Sequence, residues 1–214
     1  MIKNILFDLG GVLIDLDREE AVHRFEALGV TDANTLLDAY VQRGIFKDLE
    51  NGTLTASQFE DALAQQYEGD FSHEAVFNAV MGFFRSIPLY KFNFLNSIKD
   101  QYRLFILSNT NPYIMEYMEG SHFLPGGLTL SDCVEKIFAS YRYGVMKPEK
   151  KFFEAITREV GILPEESLFI DDGKTNTDAA KTMGFNVLWV ENGTDWRSQV
   201  SKALAHDQMN THNK

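Results

Sequence analysis

The chain has 214 residues, which suffices for one sizeable core or a core with a small satellite domain, and is short for two independent large domains. Its 44% hydrophobic and 24% charged residues exclude a disordered chain, and a formal charge of -11 without any basic cluster excludes a nucleic-acid backbone as partner. The one cysteine, Cys133, allows no internal disulfide, so a metal site would be built from carboxylates or histidines. With neither a secretory leader nor an apolar stretch of spanning length, the expected location is the cytoplasm, away from membranes.

In chain order, residues 2–9 form a short, mainly apolar run that stops at Asp8, Gly10 and Gly11, the pattern of a buried parallel strand before a tight turn. Comparable runs at 102–107, 137–139, 168–170 and 186–190 alternate with helical patterns. That alternation predicts an α/β fold with a doubly wound parallel five-stranded sheet. Among the helices, 149–160 follows Pro148 and closes at Gly161, 176–183 closes at Gly184, and Asp195 caps a last helix.

Roughly ninety residues separate the first two strands, far more than a simple crossover needs, so a segment is inserted there. It reads as helices over 18–28 (closed by Gly29), 34–40, a run after the Thr55-Ala56-Ser57-Gln58 capping box, and 74–84 after Ser72. The expected organisation is a core of residues 1–15 and 89–205, an inserted helical cap domain at 16–88, and a polar, frayed tail at 206–214. Hinges fall near 15–17 and Pro88.

In an open parallel sheet, ligands bind beyond the carboxyl ends of the strands. The residues there are Asp8-Leu9-Gly10-Gly11-Val12, then Ser108-Asn109-Thr110, then Lys147-Pro148, then Asp171-Asp172 with Asn176 following. Each is commonplace alone: a turn aspartate, a loop serine, a solvated lysine, helix-entry acids. Four in order at four strand ends are specific, and together they resemble the four motifs of haloacid dehalogenase-like hydrolases, with the insert resembling that family's cap after motif one on a Rossmann-like core.

The resemblance implies a phosphatase using Asp8 as nucleophile through a phosphoaspartate, with Ser108 and Lys147 holding phosphate and neutralising charge. Gly10, Gly11 and Asn109 would help bind the substrate, a small phosphorylated metabolite such as a sugar phosphate. It also implies Mg2+ held by the Asp8 carboxylate, the Gly10 carbonyl and Asp172, with Asp171 acting through water or orienting the others. A cation is needed, since two carboxylates roughly 4 Å apart repel by about 4 kcal/mol at an effective dielectric near 20.

One position departs from the family's phosphatases, which usually carry a second aspartate two residues after the nucleophile; here that residue is Gly10. The metal-binding carbonyl survives the change, but the acid that protonates the leaving oxygen is missing, so activity is expected to depend on leaving-group quality. Two alternatives stay open: a metal-independent 2-haloacid dehalogenase, which also lacks that aspartate but has no use for Asp171-Asp172, and a phosphate-ligand binding protein of the same fold. Tyr40, Gln42, Arg43, Phe46 and Lys47 occupy a plausible specificity region of the insert. Asn192-Gly193-Thr194 matches a glycosylation acceptor but is discounted for a cytoplasmic chain.

Overall fold

Strand β1 (Asn4–Phe7) is buried along its whole length at the centre of the main sheet in the computed structural model, which describes residues 1–38 and 42–212. A short β2 (Asp15–Leu16) leads into five helices: α1 (Arg18–Ala27), α2 (Ala33–Leu36), α3 (Gly44–Glu50), α4 (Ala56–Gln66) and α5 (His73–Val80). The chain leaves them through β3 (Phe84–Ser86), antiparallel to β2, and continues into α6 (Leu89–Ile98). After that come β4 (Arg103–Ser108), α7 (Pro112–Met118), β5 (Lys136–Ala139), α8 (Ser140–Tyr143) and α9 (Lys150–Val160). The last elements are β6 (Ser167–Asp171), α10 (Lys174–Thr182), β7 (Asn186–Trp189) and α11 (Arg197–His212).

The five-stranded sheet has the order β5-β4-β1-β6-β7 with every pair parallel. The strand order reverses at β1, which places a crevice beyond its carboxyl end. Register brings the functional ends level: Phe7 pairs with Ile106 on one side and Ile170 on the other, so the next residues, Asp8 and Asp171, are neighbours. The Asp8 N–H donates to the Ile170 carbonyl at 2.8 Å, extending this pairing by one residue.

Both faces of the central strands β1, β4 and β6 are covered, which is why these strands read as mainly apolar runs. Ile5, Phe7, Ile106 and Ile170 pack with Phe92 and Leu95 of α6 and Val200 of α11. Leu6, Phe105, Leu107 and Phe169 face the other way, against Phe152, Phe153 and Ile156 of α9 and Ala180 of α10. Each such buried side chain contributes about 1.5–3 kcal/mol, so the strand ends are held by the most firmly packed part of the chain.

The inserted helices build a separate apolar cluster around Phe25, Phe46 and Phe59, whose rings meet edge-on at centroid distances of 4.9 and 5.0 Å. Tyr113 of α7 enters this cluster from the core side. Helix starts follow the sequence signals: Asp17 accepts from Glu20 N–H ahead of α1, and the Thr55–Gln58 capping box opens α4.

Three expectations are corrected. The helix expected over 74–84 ends at Val80, because the Phe83 carbonyl accepts from Asp17 N–H at 2.8 Å and Phe84–Ser86 pair with β2 instead. The helix expected over 34–40 is the shorter α2 (Ala33–Leu36), and Tyr40 lies outside the described residues. The segment from 206 onward, expected as a frayed tail, continues α11 to His212; Asp207 holds it by accepting from Ile2 N–H and pairing with the Met1 ammonium at 3.8 Å. Among the described residues, no helix is long and apolar enough to cross a membrane.

Candidate active site

Lys147 is the pivot of the strand-end cluster. Its ammonium, almost wholly buried, lies 2.7 Å from Asp8 Oδ2 and 2.6 Å from Asp171 Oδ2. Burial pushes its pKa down, but the facing Asp171 and Asp8 carboxylates outweigh that and raise it, so the lysine stays charged. Asn109 fixes its backbone from both ends: Oδ1 accepts from Lys147 N–H at 2.7 Å and Nδ2 donates to the Lys147 carbonyl at 2.9 Å. The peptide between Lys147 and Pro148 is cis.

The three carboxylates differ in what remains free. Asp171 is saturated, since its Oδ1 accepts from Gly173 N–H at 2.7 Å and Asn176 Nδ2 at 2.9 Å while Oδ2 meets Lys147. Asp8 keeps Oδ1 against Leu9 N–H at 2.7 Å. The Asp172 carboxylate accepts no side-chain hydrogen bond among the described residues, and its main-chain carbonyl is held by Trp189 Nε1 at 2.7 Å. A Cβ on Gly11, where φ is +75°, would lie 2.1 Å from Asp172 Oδ2, so only glycine lets that carboxylate sit there.

Three acids around one lysine leave excess negative charge. Burial raises the Asp8 carboxyl well above its usual range, with Lys147 opposing and Asp171 and Asp172 adding to the rise. Asp172 is pushed up to about 6 by burial and by Asp171. Oxygens of Asp8, Asp171 and Asp172 lie within 4.8 Å of one another. This hard, all-oxygen donor set fits a divalent cation such as magnesium, which would relieve the repulsion.

A cavity of about 80 Å³ opens onto the cluster, lined by Asp8, Gly10, Ser108, Asn109, Thr110, Lys147, Asp172 and Asn176. Ile14, Leu16, Phe83, Phe84 and Ile114 form its apolar wall, and Gln42 and Glu50 reach it from the insert. Thr110 Oγ1 is the one buried side-chain polar atom without a partner among the described residues, an orphan suited to a phosphate oxygen or water.

The structure places Asp8, Gly10, Ser108, Asn109, Lys147 and Asp172 around one cavity, with Asp171 buried against Lys147. Gly11 gives its N–H to the Ile14 carbonyl at 2.8 Å, so it shapes the loop and does not offer a donor to substrate. The Asn109 side chain is committed to Lys147 at both ends, and its contribution is to position that lysine. Of the insert residues, Gln42 lines the cavity, Phe46 belongs to the insert's apolar cluster, and Arg43 and Lys47 are exposed. The sequence reading missed Thr110 and Glu50 as site residues. Thr110 stands beside Ser108-Asn109 and was within reach of the strand-end rule; Glu50 carries no local signal.

A parallel sheet reversing at β1 sets a buried lysine between two strand-end carboxylates, with a third carboxylate on a cavity beyond the strand ends, the place where open α/β folds carry their active sites. The family profile for haloacid dehalogenase-like hydrolases matches residues 2–184, and the chain belongs to that family. It is 39% identical over 204 residues to a D-ribitol-5-phosphate phosphatase of Bacteroides thetaiotaomicron, covering 95% of this chain and 99% of the relative. The structure of a HAD-like family hydrolase from Porphyromonas gingivalis superposes with a TM-score of 0.92 at 40% identity, covering 95% of this chain and 98% of that one. A HAD family enzyme from Bacteroides thetaiotaomicron, solved in complex with magnesium and inorganic phosphate, superposes with a TM-score of 0.84 at 33% identity, covering 92% and 98%.

Proposed function

We propose that the protein is a cytoplasmic, magnesium-dependent phosphatase that hydrolyses a small sugar or polyol phosphate through a phosphoaspartate at Asp8. The observation that carries this reading is the Lys147 ammonium at 2.7 Å from Asp8 and 2.6 Å from Asp171, beside an Asp172 carboxylate that lines the cavity. A dehalogenase acting on an anionic haloacid without metal would gain nothing from the two added acids, which would repel its substrate. The phosphatase and magnesium-phosphate relatives support the same class.

In this reading Asp8 attacks phosphorus, the ester P–O bond breaks and the alcohol departs; water then cleaves the acyl phosphate, freeing phosphate and the carboxylate. Lys147 offsets charge on the phosphoryl oxygens, with Ser108 and Thr110 hydroxyls as donors. Asp8, Asp172 and the Gly10 carbonyl would hold magnesium, whose charge keeps the nucleophile ionised and screens it from the phosphate dianion. Asp171 orients Lys147 and the α10 entrance. The helices of residues 16–88 serve as a cap over the core of 1–15 and 89–205, closing the cavity from above.

Phosphate release from D-ribitol 5-phosphate and a panel of sugar phosphates, with magnesium and with chelator, tests the reading. Release should require magnesium and vanish in Asp8→Asn, which stays folded. Chloride release from 2-chloropropionate that persists in chelator, without phosphate release, would overturn it.

A further inference from the structure

The place of the missing acid is filled. A Cβ on Gly10 would lie 2.8 Å from Leu16 Cδ1, so the leucine occupies the space where a second aspartate would begin. Glu50, the last residue of α3, reaches the same cavity from the insert. It is only 9% exposed, and its carboxyl opens onto the cavity, where Lys147 is the charged group that acts on it among the described residues. A mostly buried carboxyl that lines a cleft beside a charged lysine is a candidate for function.

Glu50 is also held still. The Ser140 hydroxyl donates to the Glu50 carbonyl at 2.6 Å, tying the end of α3 to the end of β5. A Cβ on Gly52, at φ +76°, would lie 2.1 Å from the Tyr141 carbonyl oxygen, so the turn after Glu50 lies flat on the core. An acid mounted on two such contacts keeps its position when a ligand enters.

We infer that Glu50 is the acid and base of the reaction, taking the role that Gly10 leaves open. The inference rests on the phosphatase reading above and extends it. As Asp8 Oδ bonds to phosphorus and the ester P–O bond breaks, the Glu50 carboxyl gives its proton to the leaving alkoxide. The resulting carboxylate then takes a proton from the water that attacks phosphorus; the phosphoaspartate P–O bond breaks, phosphate leaves and Glu50 is protonated again. Burial, opposed by Lys147, raises the Glu50 carboxyl to about 8, so it holds a proton at neutral pH. Asp8, Lys147 and Asp172 face the same cavity.

The experiment compares full-length wild type and Glu50→Gln, with magnesium, on D-ribitol 5-phosphate and p-nitrophenyl phosphate, including rapid-quench bursts. Glutamine keeps the shape and cannot donate an acidic proton. The alkyl ester should lose about 100- to 10,000-fold in kcat, with KM and inhibition by inorganic phosphate within about threefold. The aryl ester, whose leaving group departs unaided, should keep its p-nitrophenolate burst rate and then turn over slowly. In wild type, kcat on the alkyl ester should fall above about pH 8 while the aryl burst does not. Equal loss of both burst rates, a change confined to KM, or no change would overturn the role of Glu50. Absence of phosphate release from either ester by wild type would instead remove the phosphatase reading, and this role with it.

Discussion

The Lys91 ammonium, wholly buried, lies 2.8 Å from the Asp15 carboxylate and so joins the first helix after the insert to the strand that enters it. Ser86 Oγ, on the strand that leaves the insert, donates to the same carboxylate at 2.6 Å. Both connections and α6 therefore meet on one side chain. Removing one partner of a buried pair costs about 3–5 kcal/mol, because the other charge is left without compensation. Asp15→Ala should lose that much in urea denaturation, and Lys91→Met less, since Asp15 keeps Ser86 and some solvent. A loss under about 1 kcal/mol for Asp15→Ala would rank the pair with exposed ion pairs.

A second link crosses from insert to core at His73, whose ring nitrogens lie 2.9 Å from Glu60 of α4 and 3.0 Å from Glu116 of α7. The hydrogen bond to Glu60, partly offset by burial and reinforced by Glu116, raises the His73 pKa above 6.5. A raised histidine stabilises the folded form fully below its unfolded value and loses that contribution as pH rises through the folded one. Hydrogen exchange in α5 should therefore quicken between neutral and mildly alkaline pH. NMR titration should place His73 above the free value in wild type and lower in Glu116→Gln; an unshifted His73 would remove this link.

The buried Glu50 carboxyl has a thermodynamic consequence separate from turnover. Its pKa rises from 4.5 to about 8 on folding, so the folded state binds the proton more tightly and stability drains away as pH climbs across that window. Glu50→Gln removes the titration. In the metal-free protein the variant should match wild type near pH 4 and exceed it at pH 7 by on the order of 3 kcal/mol. Denaturation curves at the two pH values check this. A variant no more stable at pH 7 than at pH 4, relative to wild type, would mean that Glu50 is ionised in the fold.

What was legible in the sequence follows from where the forces are local. Strands covered on both faces read as apolar runs, and the polar residues ending them, Asp8, Ser108 and Asp171, mark the crevice without any knowledge of the insert. Strands β2 and β3 are two and three residues long, below any periodicity signal, and form only because their two chain segments meet. Asn192, which matched a glycosylation acceptor, instead clamps the Leu16 backbone, its amide accepting from the N–H at 3.0 Å and donating to the carbonyl at 3.1 Å. Glu50 and Lys91 look like ordinary surface charges in the sequence. Their burial depends on packing between segments tens of residues apart, which no window of sequence contains.

The contact between position 10 and Leu16 sets the terms for restoring an aspartate there. The approach of 2.8 Å is to the end of a flexible side chain and not to backbone, so Leu16 has to move aside, at a cost of about 1–3 kcal/mol if the apolar wall resists. Gly10→Asp alone should lower stability and gain little in turnover, since Glu50 already supplies the proton. Combining it with Leu16→Ala opens the space. In a Glu50→Gln background, Gly10→Asp with Leu16→Ala should recover at least tenfold of the lost kcat on the alkyl ester while leaving the aryl burst unchanged, because the two acids act on the same leaving oxygen. Magnesium affinity is the control, as the added carboxylate lies next to the Asp8 and Asp172 oxygens. With affinity near wild type, failure to recover alkyl turnover would show that an acid at position 10 does not reach the leaving oxygen in this fold, and that the glycine serves only the close packing of β2 against the nucleophile loop.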